Sequence, residues 1–396
     1  MISLYFHIPF CEKKCNYCSF YIIPTSWLKL DFIKNTKDLY LESLKNEVDY
    51  QLNKWKISKK VYTIYFWWWT PSEFWLGRIF SLLKYLKTRF DFSDLQEFSF
   101  ELNPVLGWIN NVLYTLEFMD YLNNFVQDNF SIPARFSIWI QSLNDEILKL
   151  SNRNYTFYQI EELLDNLQNK QKSLNPFINL DFISFGLETY KDKKYFDKFK
   201  KFVWKYESIV DSYSVYTLEL FDWSVWKNKF SDIDLENEIF ENFSSYVKIL
   251  QEYWYLRYEI SNFAKQDKYS KHNLVYWTMK PYLWFGSSAS WFVFNSSNNP
   301  IRYTNSYGIN EYLKWKISYK EFIRLSEDDL IKESIFLWLR TSNWIILNKK
   351  NENFLNLDKL EQYVKDWYLL KNWDKLCFTD NGFWLYNYII TDILDL

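Results

Sequence analysis

The sequence YFHIPFCEKKCNYC (residues 5–18) holds three of the four cysteines of the chain within eight residues, directly after a β-rich apolar run. Disulfides inside one short loop would constrain little of the chain and would leave an unpaired thiol, so this spacing indicates a metal or cluster site. Zinc usually takes four ligands, and His7 could complete a Cys3His set around it. A [4Fe–4S] cluster bound by Cys11, Cys15 and Cys18 fits better, because its fourth iron stays open for a substrate or cofactor.

The composition of the 396-residue chain bounds its class. At about 150 residues per domain, two or three domains are expected. A hydrophobic content of 48% supplies a sizeable core, and 47 basic against 49 acidic residues give a net charge of −2. These values exclude a disordered chain and show no basic excess, so a surface that binds nucleic acid is not expected. No run of about 18 apolar residues predicts a membrane span, and the cysteine motif starts too early for a secretory leader, so we expect a cytoplasmic protein.

Glycine and tryptophan have abnormal frequencies. Usual composition predicts roughly 28 glycines for this length, whereas the chain has 6 glycines and 21 tryptophans. Glycine is needed where φ is positive or where backbone approaches a ligand, and tryptophan serves neither purpose well. Several tryptophans also stand where turns are expected, such as Asn372-Trp373-Asp374. We therefore hypothesise that most of them are glycines in the natural protein, encoded by UGA codons read in the wrong genetic code. The alternative is a truly tryptophan-rich protein.

Apolar β-rich runs alternate with amphipathic stretches through the first half of the chain. The predicted strands are Ile2–Ile8, Val61–Phe66, Glu97–Glu101, Ala134–Ile140, Phe177–Ser184 and Asp211–Thr217. The predicted helices, with apolar residues spaced three and four apart, are Lys37–Gln51, Ser72–Phe90, Thr156–Lys170 and Lys191–Tyr206. Six strand-then-helix units predict parallel strands with crossover helices, either in an open doubly wound sheet or in part of a (β/α) barrel. In both architectures, functional residues gather at the carboxyl ends of the strands.

The second half of the chain has a different pattern. Lys227–Glu252 is polar and helical in pattern, Tyr253–Asn299 is aromatic and rich in loops, and short helices with two strand-like pieces follow. These changes divide the chain into a predicted barrel at residues 1–226, a connecting helix and aromatic segment at 227–300, and a mainly helical, winged-helix-like domain at 301–396. Cys377 falls in the last domain, where we expect a small core residue rather than a ligand.

The cysteine motif resembles the radical S-adenosylmethionine (SAM) superfamily. In this superfamily the open iron binds the amino and carboxylate groups of SAM, and the reduced cluster cleaves the sulfonium to give a 5′-deoxyadenosyl radical. The segments YFHIPFC (5–11) and CSFY (18–21) resemble one branch, the coproporphyrinogen III dehydrogenase-like proteins. The resemblance implies a partial (β/α)6 barrel with a [4Fe–4S] cluster and SAM as cofactors.

Further motifs resemble the same branch. WWWTPS (67–72) is similar to the family's Gly-Gly-Gly-Thr-Pro-Ser, whose backbone holds the SAM amine, and ELNP (101–104) to Glu-x-Asn-Pro, whose carboxylate takes the ribose hydroxyls. RFSIWIQS (135–142) is similar to Arg-Leu-Ser-Ile-Gly-Val-Gln-Ser, and NLD (179–181) to the fifth-strand aspartate segment. The resemblance implies a SAM site of Tyr5, Tyr17, Trp68, Trp69, Thr70, Glu101, Gln141, Arg153 and Asp181.

Single residues of this kind are usually solvated loop or cap residues, so it is their shared register with one family that carries the assignment. The chain also departs from the family pattern. Asn154-Tyr155 replaces a histidine that usually follows the arginine, and Gly186-Leu187-Glu188 replaces a Gly-Leu-Pro segment and is shifted by one residue.

Two features resemble the HemW family of heme chaperones rather than the enzymes of the branch. The enzymes have a fourth cysteine where this chain has Phe20, and they carry an extension where only ten residues precede Cys11. HNLVYW (272–277) is similar to the His-Asn-x-x-Tyr-Trp motif that this family associates with heme binding, which implies His272 as a heme-binding residue and Trp277 as genuine. Imidazole is a natural axial ligand of heme iron, although a histidine in an aromatic loop is often a hydrogen-bonded structural residue.

We therefore predict a heme chaperone that binds a [4Fe–4S] cluster, SAM and heme and delivers heme to an acceptor protein that the sequence does not identify. The alternatives are an oxygen-independent coproporphyrinogen III oxidase, which decarboxylates propionate side chains by radical chemistry, and a structural zinc loop. No catalytic residue is assigned, and whether the chain is an enzyme stays open. Nucleic acid is not an expected partner; peripheral contact with a membrane is compatible with the sequence.

Overall fold

The structure is a computed structural model that describes residues 1–19, 21–26, 28–55, 57–67, 74–106, 111–219, 230, 233–294, 300–305, 308–314 and 319–394. The strands are β1 (Ile2–His7), β2 (Phe10–Cys11), β3 (Ile23–Pro24), β4 (Val61–Trp67), β5 (Glu97–Leu102), β6 (Ala134–Gln141), β7 (Phe177–Ser184), β8 (Ser212–Thr217), β9 (Leu256–Arg257), β10 (Asn262–Ala264), β11 (Tyr282–Phe285), β12 (Ser290–Phe294), β13 (Pro300–Asn305), β14 (Tyr319–Arg324), β15 (Ile345–Ile346), β16 (Leu369–Asn372) and β17 (Lys375–Phe378). The helices are α1 (Leu30–Lys54), α2 (Leu76–Lys87), α3 (Val112–Phe130), α4 (Asp145–Leu150), α5 (Phe157–Leu174), α6 (Glu188–Lys191), α7 (Tyr195–Tyr206), α8 (Leu235–Glu252), α9 (Lys271–Trp277), α10 (Ile309–Leu313), α11 (Glu327–Trp338), α12 (Lys349–Glu352), α13 (Leu357–Lys365) and α14 (Tyr386–Ile393).

Twelve of these strands form one sheet in the order β14-β13-β12-β11-β1-β4-β5-β6-β7-β8-β10-β9. Its centre, from β1 through β4, β5, β6 and β7 to β8, is parallel throughout. β11 joins β1 in parallel, β12 to β14 continue antiparallel, and β10 pairs antiparallel with β8. In the described part of the chain the sheet ends at β14 and β9, so the barrel is partial and not closed. This architecture confirms the predicted fold class.

The six parallel strands have two chemically different faces. Side chains alternate across a strand, and one set is apolar and packs into the main core with the helices, as Leu4, Phe98 and Leu180 do. The opposite set, which we call the polar face, consists of Ser3, Tyr5, His7, Thr63, Tyr65, Trp67, Glu97, Ser99, Glu101, Arg135, Ser137, Trp139, Asn179, Asp181, Ser212, Ser214 and Tyr216. Most of its members are buried. Parallel sheets usually bury apolar residues on both faces, so the polar face marks the functional side of this sheet.

The observed elements match the predicted strands to within one residue at each end. The helices predicted at 37–51, 72–90, 156–170 and 191–206 correspond to α1, α2, α5 and α7. The sequence reading did not find α3, because its apolar residues do not form one stripe: Leu116 and Leu122 are buried, whereas Leu113 and Tyr121 are exposed. The helix begins where the Asn111 side chain accepts the Leu113 amide.

The carboxyl-terminal elements have an apolar core of their own, which includes Ile335, Leu360, Leu376 and Ile390. The strand-like pieces predicted there are the hairpin β16–β17, which β15 extends to three strands. The main sheet continues to Arg324, past the predicted boundary at residue 300, and the division into three domains stays a prediction. No described helix is both long and apolar enough to cross a membrane.

Tryptophan is over-represented where the backbone is left-handed. Of the eleven described non-glycine residues with positive φ, four are Trp75, Trp254, Trp367 and Trp373, and all four side chains are exposed. Trp254 and Trp367 follow the ends of α8 and α13, where the 6→1 and 5→2 amide hydrogen bonds of a Schellman motif are present. Glycine is the usual residue at this position. The arrangement is the one that the glycine hypothesis predicts.

Candidate functional site

The three clustered cysteines lie in a loop that leaves the carboxyl end of β1. Cys11, Cys15 and Cys18 are buried and are not in disulfides. They pack in an apolar cluster with side chains from the carboxyl ends of several strands and from α4 and α8, including Trp139, Ile147, Ile183 and Leu235. Cys377 is a buried free thiol in the carboxyl-terminal core region, as expected for a core residue.

The loop fits the iron–sulfur cluster that its motif implies. Three cysteine thiols in an apolar shell are the donor set of such a cluster, and the shell limits access of water. Burial raises the pKa of the Cys15 thiol, whereas the Arg153 guanidinium and a hydrogen bond with Tyr17 oppose this shift. Among the described residues, no three His, Cys, Asp or Glu side chains are grouped as ligands of one metal ion. His7 instead lies on β1 beside the Tyr5 hydroxyl, 3.4 Å from its Nδ1, and burial lowers its pKa to about 3.

Three of the predicted SAM-site residues, Tyr17 of the loop with Gln141 and Arg153, form one hydrogen-bond network. Tyr17 donates its hydroxyl hydrogen to Gln141 Oε1 (3.1 Å) and accepts from Arg153 Nη2 (2.7 Å). Arg153 Nη1 donates to Asn103 Oδ1 (2.9 Å), and its guanidinium lies over the Tyr17 ring. Asn103 belongs to the ELNP motif but was not assigned a role from sequence. The network joins the cysteine loop to the ends of β5 and β6 and to the segment after α4.

Gln141 is held in a strained conformation. Its φ is +67° at the last residue of β6, beside a register shift against β7. Left-handed backbone is costly for residues other than glycine, and such strain concentrates at functional sites. The side chain is fully buried, and its Nε2 has no hydrogen-bond partner among the described residues. A buried donor without a partner is expected where a ligand supplies the acceptor.

A second group of predicted residues lies on the polar face. Tyr65 donates to Glu101 Oε1 (2.9 Å), and the Tyr5 ring stacks on the Tyr65 ring at 6.4 Å between centroids. Asp181 accepts from Ser137 (2.6 Å) and Asn179 (2.8 Å), and burial raises its pKa to about 6. The described side chains therefore place Tyr5 and Glu101 around Tyr65, and Tyr17 with Gln141 and Arg153, while the hydrogen bonds of Asp181 are with Ser137 and Asn179.

The WWWTPS motif is only partly described. Trp67 ends β4 and packs against the cysteine cluster, and Trp139 is a member of that cluster. Trp68, Trp69 and Thr70 lie outside the described residues. Two indoles therefore occupy the space beside the cysteines, at positions where the family pattern has glycine.

His272 lies at the opposite ends of the strands from the cysteine loop. It belongs to α9, whose first amides, those of Lys271 and His272, donate to Glu97 at the start of β5. The imidazole is buried; its Nδ1 is 2.7 Å from Thr63 Oγ1, and its Nε2 is 2.5 Å from Tyr276 OH. Burial lowers its pKa to about 3, so the ring is neutral. Both nitrogens of the predicted heme-binding residue are thus engaged within the protein.

A parallel strand–helix sheet with a CxxxCxxC loop at its carboxyl edge defines a radical SAM protein, and the family model of that superfamily matches residues 5–199. The solved structure of coproporphyrinogen III oxidase (HemN) from Escherichia coli, a radical SAM enzyme, shares the fold with a TM-score of 0.73 and 18% identity, over 98% of this chain and 89% of that one. A heme chaperone HemW from Buchnera aphidicola (subsp. Schizaphis graminum) is 30% identical over 327 residues, 81% of this chain and 78% of that protein.

A heme chaperone HemW from Lactococcus lactis is 27% identical over 404 residues, 99% of this chain and 97% of its own. The chain belongs to the HemW family. The resemblance read from the cysteine motif and from HNLVYW is therefore confirmed at the level of the family.

Proposed function

We propose that the chain is a heme chaperone that holds a [4Fe–4S] cluster and SAM at the carboxyl ends of its parallel strands and passes heme to an acceptor protein in the cytoplasm. The observation that carries the proposal is the loop of three buried cysteines, none of them in a disulfide, beside Tyr17, Gln141 and Arg153. Membership of the HemW family supports the assignment of heme as cargo.

Cys11, Cys15 and Cys18 would hold the cluster, and the chain offers complementary groups for SAM. When bound, the reduced cluster would supply the electron that cleaves the sulfonium of SAM. The Glu101 carboxylate, reached by the Tyr65 hydroxyl, is an acceptor suited to sugar hydroxyls. The Gln141 Nε2 group is a free donor in the same region among the described atoms. The apolar cluster around the loop excludes water from the cysteines.

The heme site is the less defined half of the proposal. His272 is the heme-binding residue that the family motif implies, but axial ligation would require the hydrogen bonds with Thr63 and Tyr276 to be exchanged for iron. A neutral imidazole is the form that ligates iron, and burial keeps this ring neutral. Heme binding without His272 would leave the chaperone assignment intact and would move the ligand elsewhere.

The test begins with the 396-residue chain reconstituted anaerobically with iron and sulfide. We expect about four irons and four sulfides per chain, the stoichiometry of a cubane cluster. Added heme should give a Soret band. The loaded protein should transfer heme to an apo-hemoprotein faster than heme dissociates from the loaded protein when no acceptor is present. Colourless protein after reconstitution would overturn the cluster, and the absence of heme transfer would overturn the chaperone.

The same preparation separates the chaperone from the oxidase. Coproporphyrinogen III with SAM and a reductant should give no decarboxylated product, because Phe20 stands where the enzymes have a fourth cysteine. Conversion with stoichiometric SAM cleavage would instead establish the oxidase. Zinc in place of iron and sulfide would establish the structural zinc loop.

A further inference from the structure

The cysteine loop is tied to a distant segment of the chain, the turn that follows α4. This turn has a left-handed residue, Asn152 (φ 61°), and amide hydrogen bonds from Asn152 to Lys149 O (3.1 Å) and from Arg153 to Leu148 O (2.9 Å). These are the two bonds of a Schellman motif, and asparagine tolerates its left-handed position better than most residues. The turn brings residues 150–154 alongside the loop.

Five hydrogen bonds join the two segments, and four of them involve asparagine side chains or backbone. They run from Asn16 N to Ser151 O (3.4 Å), Asn16 Nδ2 to Leu150 O (2.7 Å), Asn152 Nδ2 to Lys14 O (2.7 Å), Asn154 Nδ2 to Glu12 Oε2 (2.8 Å) and Arg153 Nη2 to Tyr17 OH (2.7 Å). We call Asn16, Asn152 and Asn154 the asparagine latch.

The latch acts on the spacers between the cysteines. Asn152 and Asn154 hold residues 14 and 12, in the three-residue spacer between Cys11 and Cys15, and Asn16 lies in the two-residue spacer before Cys18. A cluster needs three thiolates presented together, and a free loop would lose its conformational entropy when they bind. Hydrogen bonds that order both spacers beforehand reduce that loss.

We propose that Asn152 and Asn154 are positioning residues that hold the cysteine loop in its ligating conformation before any cluster binds. The inference rests on the proposed function only in taking the loop to be the cluster site. Neither asparagine ligates metal in this proposal. Asn154 stands in the segment where the chain departs from the family's histidine, so its bond with Glu12 does not follow from the family pattern.

The first test uses the metal-free chain. The variant N152G keeps a residue that favours the left-handed turn and removes the amide, and N154A removes the second amide. Asn166 of α5 offers the matched control, because its amide donates within its own helix to Glu162 O (2.8 Å). Hydrogen exchange of the amides of residues 12–18 should accelerate about fivefold in each variant, the effect of about one lost hydrogen bond, and should not change in N166A.

The second test measures retention of the cluster in reconstituted protein. The visible absorption of N152G/N154A should decay about tenfold faster with a chelator than that of the wild type or N166A. Equal loop exchange and equal decay in the double variant and N166A would overturn the latch. A wild-type chain that takes up no iron would overturn the proposed function instead, while loop exchange in the metal-free chain would still test the latch. The single variants and the melting temperature identify any global unfolding.

Discussion

The two ends of the six parallel strands hold the two motifs that sequence assigned to cofactors, and they are built differently. At the carboxyl ends, three cysteines share an apolar cluster, Gln141 is strained, and its Nε2 has no hydrogen-bond partner among the described residues. At the amino ends, His272 and Glu97 have hydrogen bonds to every polar atom of their rings or carboxylates. Backbone strain and a buried donor without a partner indicate a ligand-binding site. A hydrogen-bond network in which every polar atom has a partner indicates a structural role.

The largest expected effect is a difference in iron content between variants of a loop cysteine, Cys15, and of the carboxyl-terminal cysteine, Cys377. Replacing Cys15 with alanine should abolish cluster binding, because a three-cysteine site has no spare ligand. Iron and sulfide per chain after reconstitution should fall from about four of each to near zero. The matched control is C377A, which removes a buried thiol from the carboxyl-terminal region and should leave the iron content unchanged. Retention of the cluster in C15A would show that the carboxyl ends are not the cluster site.

The next prediction tests whether His272, at the amino ends of the strands, stabilises the fold. H272A should lower the free energy of unfolding by about 3 kcal/mol, because it opens a cavity and removes one hydrogen-bond partner from each of the Thr63 and Tyr276 hydroxyls. A double-mutant cycle with Y276F, followed by urea unfolding, should show a coupling of about 1 kcal/mol. If H272A lost the Soret band on heme addition while its free energy of unfolding changed by less than about 0.5 kcal/mol, this expectation would be contradicted. His272 would then be a heme ligand rather than a structural residue.

Sequence alone gave more of the carboxyl ends than of the amino ends, for a physical reason. The cysteines, Tyr17, Glu101 and Gln141 stand in short local motifs that resemble those of a known family, and period-two patterning locates the strands beside these motifs. The Asn152–Lys14 bond joins residues 138 positions apart, and no local pattern reports such a pair. The parallel pairing of β11 with β1 was also not predicted. Apolar and polar residues do not alternate regularly in Tyr253–Asn299, so its strands could not be recognised from the sequence.

A smaller effect concerns the tryptophans at the carboxyl ends. Trp67 and Trp139 pack on the cysteines, so W67G/W139G should open space for SAM and lower its Kd at least about tenfold, the scale of removing a steric block of this kind. Equilibrium dialysis of reconstituted protein would measure this, with W254G as the control because that indole is exposed. Unchanged SAM binding would contradict the expectation.

The covalent sequence of the natural protein decides the same question directly. Peptide mass spectrometry of protein from its own source should find glycine at residues 67–69 and at the left-handed positions 367 and 373. Tryptophan at these positions would end the glycine hypothesis. The genuine tryptophan expected at 277 provides the internal reference.

The smallest expected effect concerns two buried carboxyl groups of the polar face, Glu97 and Asp181. Glu97 accepts from Ser99, Ser270 and two helix amides, whereas the described contacts of Asp181 are with Ser137 and Asn179. Burial raises the pKa of Asp181 from 3.8 to about 6. The folded state therefore holds the proton more strongly than the unfolded state, and this contribution to stability is full below pH 3.8 and is lost as the pH rises towards 6.

Between pH 5 and pH 7.5 the unfolding free energy should fall by about 1 kcal/mol through Asp181 alone. The variant D181N should lack that part of the slope, since its amide does not titrate. Urea unfolding of metal-free protein at the two pH values measures the difference without cofactors. Equal slopes in D181N and the wild type would mean that the Asp181 side chain is already ionised in the folded state at pH 5. This end of the sheet would then carry a fixed negative charge, whereas we expect Asp181 to lose its proton between the two pH values.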